Sequence, residues 1–211
     1  PDQRGYSPGA RPRRRRDYAI AHLVGDVLAL IERVGGSAHV VGHDWGAAVA
    51  WMVAARHPEA TRSLTAVSVP HPAVFMAAMP RGQLLQSWYM AMFQVPNFPE
   101  RLLSRRGGKL DEALRKGGST QEEIDRFQRD IVEYGALRGG LNWYRALPLS
   151  PPSWSRTKVR VPTTFVWSDQ DVALGRWGAE HAGDWVEADY EFVELKGVSH
   201  WIPTHAPEAL A

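Results

Sequence analysis

The stretch "HVVGHDWGAAVAWMVAARHPE", His39 to Glu59, constrains the fold more than any other part of the chain. A short β-rich run meets a helix of small and apolar residues, with Gly42, His43, Asp44, Trp45 and Gly46 at the join. A chain that passes from strand to helix in so few residues must turn sharply. Small residues two before and two after the apex remove the Cβ atoms that would clash there. Asp44 is the apex. The pentapeptide alone leaves two readings. Asp44 is an N-cap, a role that favours Asp, or it is a reactive carboxylate raised above the end of a sheet. In the second case the Trp45 backbone N–H faces the same space from a helix N-terminus.

The flanking sequence repeats this alternation. "DYAIAHLVGDVLALIERVGG" predicts a helix capped by Asp17, with Ile20, Leu23, Val24, Val27, Leu28 and Ile31 at three- and four-residue steps and Gly35 and Gly36 at its end. Strands are expected at "AHVVG", "SLTAVSV", "PTTFVWS" and "YEFVELK", with "GRWGAEHAGDWVEA" helical between the last two. Strands alternating with helices indicate an α/β fold with a mostly parallel sheet. From Pro72 to about Pro152 no strand is expected, and amphipathic segments such as "QLLQSWYMAMFQ" and "TQEEIDRFQRDIVEYG" read as an inserted helical cap. Ser119 and Thr120, each with Glu three positions on, offer a capping box. The expected division is 1–72 core, 73–155 helical cap and 156–211 core.

Composition removes several classes of function. The 211 residues suit one globular domain, or one with a sizeable insertion. No apolar stretch approaches the roughly 20 residues that span a membrane, and no secretory leader pattern opens the chain. A cytoplasmic protein without a membrane partner is the expectation. The absence of Cys excludes disulfides, a thiol nucleophile and Cys-ligated zinc. Net charge is only +2, and the run "RPRRRR", Arg11 to Arg16, lacks interleaved aromatics, so a solvated loop is expected rather than a nucleic-acid partner.

An elbow of this kind calls for two further residues in order: an acid after a later strand, then a His after the last one. Asp169 and Asp171 follow the strand in "TTFVWSDQDVAL", and His200 follows the strand in "YEFVELKGVSHW". Open parallel sheets gather site residues at strand C-termini.

With these residues in place the chain resembles the α/β-hydrolase superfamily, and within it the epoxide hydrolases and their dehalogenase relatives, which use Asp in place of Ser. The resemblance rests on "GHDWG", "WSDQDVAL" and "GVSHWIPTHAPEAL", and on "DQRGYSPGARP", which is similar to the family segment D-x-R-G-Y-G-x-S-x-x-P. It implies Asp44 as nucleophile and His200 as base. Asp171 is its acid partner by the spacing from Trp167 to Leu174, with Asp169 the second choice. Trp45 N–H is the oxyanion donor. "SWYMAMFQVP" and "LNWYR" resemble the segments bearing the two cap tyrosines, implying Tyr89 and Tyr144 as proton donors to an epoxide oxygen. His43, Trp88, Phe93, Trp143 and Trp201 are the expected substrate-contacting residues. A small apolar epoxide is the implied substrate, and no cofactor or metal is implied. Trp45, Trp88 and Trp143 keep carbon–halogen cleavage open, since a halide is held by N–H donors. A non-catalytic protein binding a ligand in a Trp-rich cleft stays open as well. A Ser-type esterase is disfavoured, because no Ser occupies the elbow.

By the same resemblance, several strands and an early "HG" loop that gives a second oxyanion donor would precede "D-x-R-G-Y". No comparable segment stands before Pro1, so the expectation is an N-terminally truncated version of the fold with uncovered strand edges. Oligomeric state is not legible.

Overall fold

The structure, a computed structural model, describes residues 2–211. Four strands, β1 (Ala38–His43), β2 (Thr61–Val67), β3 (Thr163–Gln170) and β4 (Tyr190–Ser199), lie side by side in that order, and each neighbouring pair is parallel. Register brings His43 beside Val67, Val67 beside Val166, and Gln170 beside Ser199. The strand C-termini therefore share one edge of the sheet. β1 is an outer strand, and its Val41 is 67% exposed.

Parallel neighbours need a crossover. The first is α2 (Trp45–Arg56), in which Ala47, Val49 and every residue from Ala50 to Ala55 are buried. A helix buried on nearly all sides must be made of small and apolar residues, which accounts for "GAAVAWMVAA". Trp51, the largest of them, satisfies its indole N–H on the Val69 carbonyl at 3.0 Å and packs near Phe165.

Helix α1 (Ile20–Arg33) begins later than the sequence suggests. Asp17 is not its cap: it lies in a separate 3-10 turn, Arg15–Tyr18. The Ile20 N–H instead finds the Ser150 hydroxyl at 3.2 Å, a partner 130 residues away that local pattern cannot reveal. Leu23, Val24 and Ile31 form the buried stripe of the helix.

The chain divides into two compact units, a sheet unit of residues 24–87 and 151–211 and a helical unit of residues 2–23 and 88–150. In the sheet unit, α3 (Pro72–Ala78) and α4 (Gln83–Gln86) follow β2, α10 (Arg176–Glu180) lies between β3 and β4, and α11 (Ile202–His205) follows β4. The predicted helix over 175–188 is shorter than expected, because it breaks at His181 into a 3-10 turn, Ala182–Trp185. There Gly183 lies against the Tyr190 ring, 2.6 Å from where a Cβ would stand.

The helical unit contains α5 (Tyr89–Phe93), α6 (Phe98–Leu103), α7 (Lys109–Lys116), α8 (Gln121–Phe127) and α9 (Leu137–Ala146). "QLLQSWYMAMFQ" is thus two short helices rather than one, with Ser87 and Trp88 between them. The segment "TQEEIDRFQRDIVEYG" starts with a full capping box on Thr120 and Glu123, then widens into a π-helix over Gln128–Glu133. Residues 2–23 join this unit through close backbone packing. A Cβ on Gly5 (φ 100°) would stand 2.9 Å from the Gly139 Cα. Arg11 is built into the unit, donating to the Tyr6 and Tyr134 carbonyls and lying 4.6 Å from the Tyr134 ring centre. Arg13 to Arg16 are exposed, as a solvated run should be.

Candidate active site

Every residue that the sequence places after a strand stands at the shared C-terminal edge of the sheet. Asp44 occupies the turn between β1 and α2 with φ 52° and ψ −122°, a left-handed backbone that a non-glycine residue rarely adopts. Its neighbours make this turn feasible: a Cβ on Gly42 would collide with the Gly46 backbone, 2.6 Å from the carbonyl carbon. The Asp44 side chain makes no capping hydrogen bond, although the residue sits at the N-cap position. The capping reading of "GHDWG" therefore fails on geometry. Such strain persists only where the surrounding structure imposes it, and it concentrates at functional sites.

Asp171 and His200 complete the cluster. Asp171 sits just past β3, its side chain fully enclosed. Its Oδ1 accepts from the N–H groups of Ala173 (2.8 Å) and Leu174 (2.9 Å), and its Oδ2 lies 2.7 Å from His200 Nδ1. The other nitrogen of the same ring, Nε2, is 3.4 Å from Asp44 Oδ1. One imidazole thus lies between two carboxylates, with Asp44 keeping 37% of its side-chain surface open to solvent. Asp169 goes elsewhere: its Oδ1 accepts from the Gly197 N–H at 2.7 Å, holding a turn in β4. Between the two aspartates, the geometry selects Asp171 as the partner of the histidine.

The charges follow from this arrangement. Burial opposes the imidazolium of His200, but hydrogen bonds to Asp171 and Asp44 and the two negative charges raise its pKa to about 10. Removal from water likewise opposes ionisation of Asp44. His200, the Trp45 backbone N–H and His43 outweigh this and hold the carboxyl below its ordinary range. His43 is pushed down, first by burial and then by the positive charge of His200. Its Nε2 donates to the His200 carbonyl at 2.9 Å, so its polar atom is spent on the loop that carries the histidine. The Trp201 ring stands edge-on to His200, with centroids 5.2 Å apart.

Within the helical unit, Tyr89, Phe93 and Tyr144 form one aromatic cluster. The Tyr89 and Tyr144 ring centres are 6.0 Å apart, and those of Phe93 and Tyr144 are 4.9 Å apart. Two side chains tie α5 to α9 and so create it. Gln94 donates to the Tyr144 carbonyl at 3.0 Å. Arg145 donates to the carbonyls of Phe93 and Val95 and forms a two-pronged pair with Glu100 at 2.7 and 2.9 Å. Trp88 is 64% exposed. Trp143 does not fit its expected role. It is 2% exposed, packs edge-on against Tyr6 and donates its N–H to the Arg4 carbonyl at 2.8 Å, so it is a core residue.

Sequence pattern missed several polar residues that hold the loops carrying Asp171 and His200. Gln83 on α4 is buried. It accepts from the Gly175 N–H and donates to the Ala173 carbonyl, gripping the loop after Asp171. Ser68 and Ser168, both with no exposed surface, bond the backbone of the His200 loop. A serine after a strand is a weak signal on its own, and a glutamine on a four-residue helix gives none. Among the described residues no group of His, Asp or Glu is arranged to hold a metal ion, and no helix is long and apolar enough to cross a membrane.

Apex, acid and histidine at the ends of β1, β3 and β4, in that chain order, are the layout of hydrolases built on a nucleophile elbow. Comparison with known proteins agrees. A model of the alpha/beta hydrolase family matches residues 1–211. The chain is 34% identical over 215 residues to the AB hydrolase superfamily protein YfhM of Bacillus subtilis, covering 98% of this chain and 75% of that protein. It is 32% identical over 224 residues to Epoxide hydrolase 4 of Homo sapiens, covering 98% of this chain and 60% of that protein. Among solved structures, an epoxide hydrolase of Bacillus megaterium in complex with an inhibitor superposes with a TM-score of 0.82 at 26% identity, over 99% of this chain and 79% of that one. Epoxide hydrolase VrEH1 of Vigna radiata gives 0.79 at 28% identity, over 100% and 78%. The chain belongs to the alpha/beta hydrolase family. It spans three quarters of the length of the bacterial relative and 60% of the human one.

Proposed function

We propose that this protein opens a small apolar epoxide with water to give a vicinal diol, through a covalent ester of Asp44. The observation that carries this reading is the Asp44 carboxylate at a left-handed apex, without a capping bond, 3.4 Å from His200 Nε2. An Asp44 oxygen attacks an epoxide carbon and the carbon–oxygen bond breaks. The alkoxide leaving group takes a proton from Tyr89 or Tyr144. Placing both hydroxyl-bearing rings in one cluster supports that shared role. His200 then removes a proton from water, whose oxygen attacks the ester carbonyl carbon of Asp44. The oxyanion formed faces the Trp45 N–H; it collapses by breaking the ester carbon–oxygen bond, the departing diol oxygen takes the proton from His200, and the Asp44 carboxyl then returns its own proton to His200, restoring the carboxylate.

The electrostatics support this sequence of steps. While Asp44 is charged it helps to keep His200 protonated, since Asp44 is among the groups that raise the His200 pKa. Ester formation removes that charge, the pKa falls, the ring passes its proton to the tyrosinate left by the first step, and the neutral imidazole can then accept a proton from water. The histidine is thus switched on by the intermediate it must destroy.

Carbon–halogen cleavage on the same scaffold is the less supported reading. One of its expected N–H donors, Trp143, is committed to the Arg4 carbonyl. Repeated turnover of an epoxide in ¹⁸O-water should place label in Asp44, read by peptide mass spectrometry. An active protein that stays unlabelled would rule out the ester route. Halide release that survives Tyr144→Phe would favour the dehalogenase.

A further inference from the structure

Two serines unused by this scheme stand at the ends of the central strands. Ser68 follows β2 and Ser168 lies near the end of β3, and neither has any exposed surface. The Ser68 hydroxyl donates to the carbonyl of His200 at 3.1 Å, and the Ser168 hydroxyl donates to the carbonyl of Ser199 at 2.8 Å. These two carbonyls belong to the peptide planes on either side of the His200 Cα. A peptide is planar, so tying both planes fixes the direction in which the His200 side chain leaves the backbone. The bond from His200 Nδ1 to Asp171 then fixes the ring itself.

The backbone at Ser68 shows that this arrangement is imposed. Its φ is 69°, and the Val69 N–H closes a tight turn onto the Val67 carbonyl at 2.9 Å around it, a rare and strained conformation for a residue with a side chain. The Ser68 N–H bonds the Val166 carbonyl at 2.8 Å, which anchors the strained residue to β3. A buried hydroxyl needs a partner, and both of these reach across to the β4 loop rather than to their own strands. His43 is a second donor to the His200 carbonyl, from the third direction. Asp44 is placed by its own turn and receives nothing from either serine.

We propose that Ser68 and Ser168 are paired positioning residues that aim His200 at the water attacking the Asp44 ester. The proposal deepens the function proposed above and rests on it. It carries a specific signature: loss of either hydroxyl should leave attack by Asp44 intact and slow only the destruction of the ester.

The test uses the full-length protein and styrene oxide as probe, with Ser68→Ala, Ser168→Ala and the double variant, and His200→Gln as the reference for a blocked second step. Rapid quenching followed by intact-protein mass spectrometry follows the adduct. Each serine variant should form ester within about 3-fold of the parent rate and hydrolyse it roughly 10-fold or more slowly, the scale expected when a catalytic group is slightly misaimed. Equal slowing of both steps, or hydrolysis within about 2-fold of parent in both variants, overturns the proposal. The low-field proton resonance of His200 Nδ1 provides a readout that needs no substrate. It should shift or broaden in both variants, and an unchanged resonance overturns the pairing. If the resonance changes while even His200→Gln collects no adduct, the serine pair stands and the ester route is lost. Should an alanine variant fail to fold, Ser68→Cys and Ser168→Cys keep the volume with a weaker donor and are read in the same way.

Discussion

The sheet unit and the helical unit hold the side chains proposed to act in catalysis by different means. In the sheet unit, backbone turns at strand ends do the placing. Asp44, Asp171 and His200 each follow a strand by one or two residues, and the register of the sheet brings them together. In the helical unit, Tyr89 and Tyr144 lie on separate helices and meet because Arg145 and Gln94 reach between those helices to backbone carbonyls. A site built on backbone geometry is robust to most neighbouring substitutions. One built on a few long side chains depends on each of them.

That contrast can be broken or sharpened by experiment, and the largest effect should fall at the elbow. Asp44→Asn removes the proposed nucleophile and should lower turnover by about 10⁴-fold without loss of fold, as deletions of catalytic nucleophiles do. Steady-state kinetics beside thermal unfolding would check both halves. A comparable loss of turnover from a substitution in α7 or α8 would break the contrast. Next comes the helical unit's tie. Arg145→Met leaves the half-buried Glu100 without its partner and should cost the unit about 1.5–3 kcal/mol, the range for loss of a hydrogen bond to a charged group. Hydrogen exchange should report the loss over residues 88–150 while the strands of the sheet unit stay protected.

A third test concerns His71, which is fully buried in the sheet unit and stacked on Trp185. Its Nδ1 accepts from the Ala73 N–H at the start of α3, and burial lowers its pKa from 6.5 to about 4. The unfolded chain therefore binds a proton there at a pH where the folded one does not. The stabilisation is complete above pH 6.5 and is lost as the pH falls from 6.5 towards 4, by about 3 kcal/mol for a shift of this size. Urea unfolding across that range should show the slope, and His71→Gln should flatten it. The smallest effect is expected at the capping box. Thr120→Ala should cost about 1 kcal/mol, visible as faster exchange in the first turn of α8.

How legible each unit is in the sequence follows the same division. The four strands and the small-residue helix after Asp44 are local patterns, and the structure reproduces them within a few residues. The choice of Asp171 over Asp169 came from family spacing, since both are acids after one strand. Only the hydrogen bond to Gly197 shows why Asp169 is occupied elsewhere. Over residues 83–94, periodicity joins α4 to α5 because it cannot see Gln83 spending its amide on Ser87 and the loop after β3. The resemblance offers Trp143 as a contact residue, and nothing local shows that the Arg4 carbonyl takes its N–H. The failures share a cause: a polar side chain whose partner lies tens of residues away leaves no trace in its own neighbourhood.

The left-handed backbone at position 44 also bears on how a site of this kind can change over evolutionary time. The turn selects for shape before chemistry selects for reactivity. Residues branched at Cβ are excluded at such a φ, while Asp, Asn and other unbranched side chains are admitted. Threonine is therefore closed to this apex as a nucleophile, whereas serine remains within reach. A lineage that keeps the two glycines therefore draws its apex residue from a short set of unbranched side chains, and the sheet beneath need not move when one replaces another.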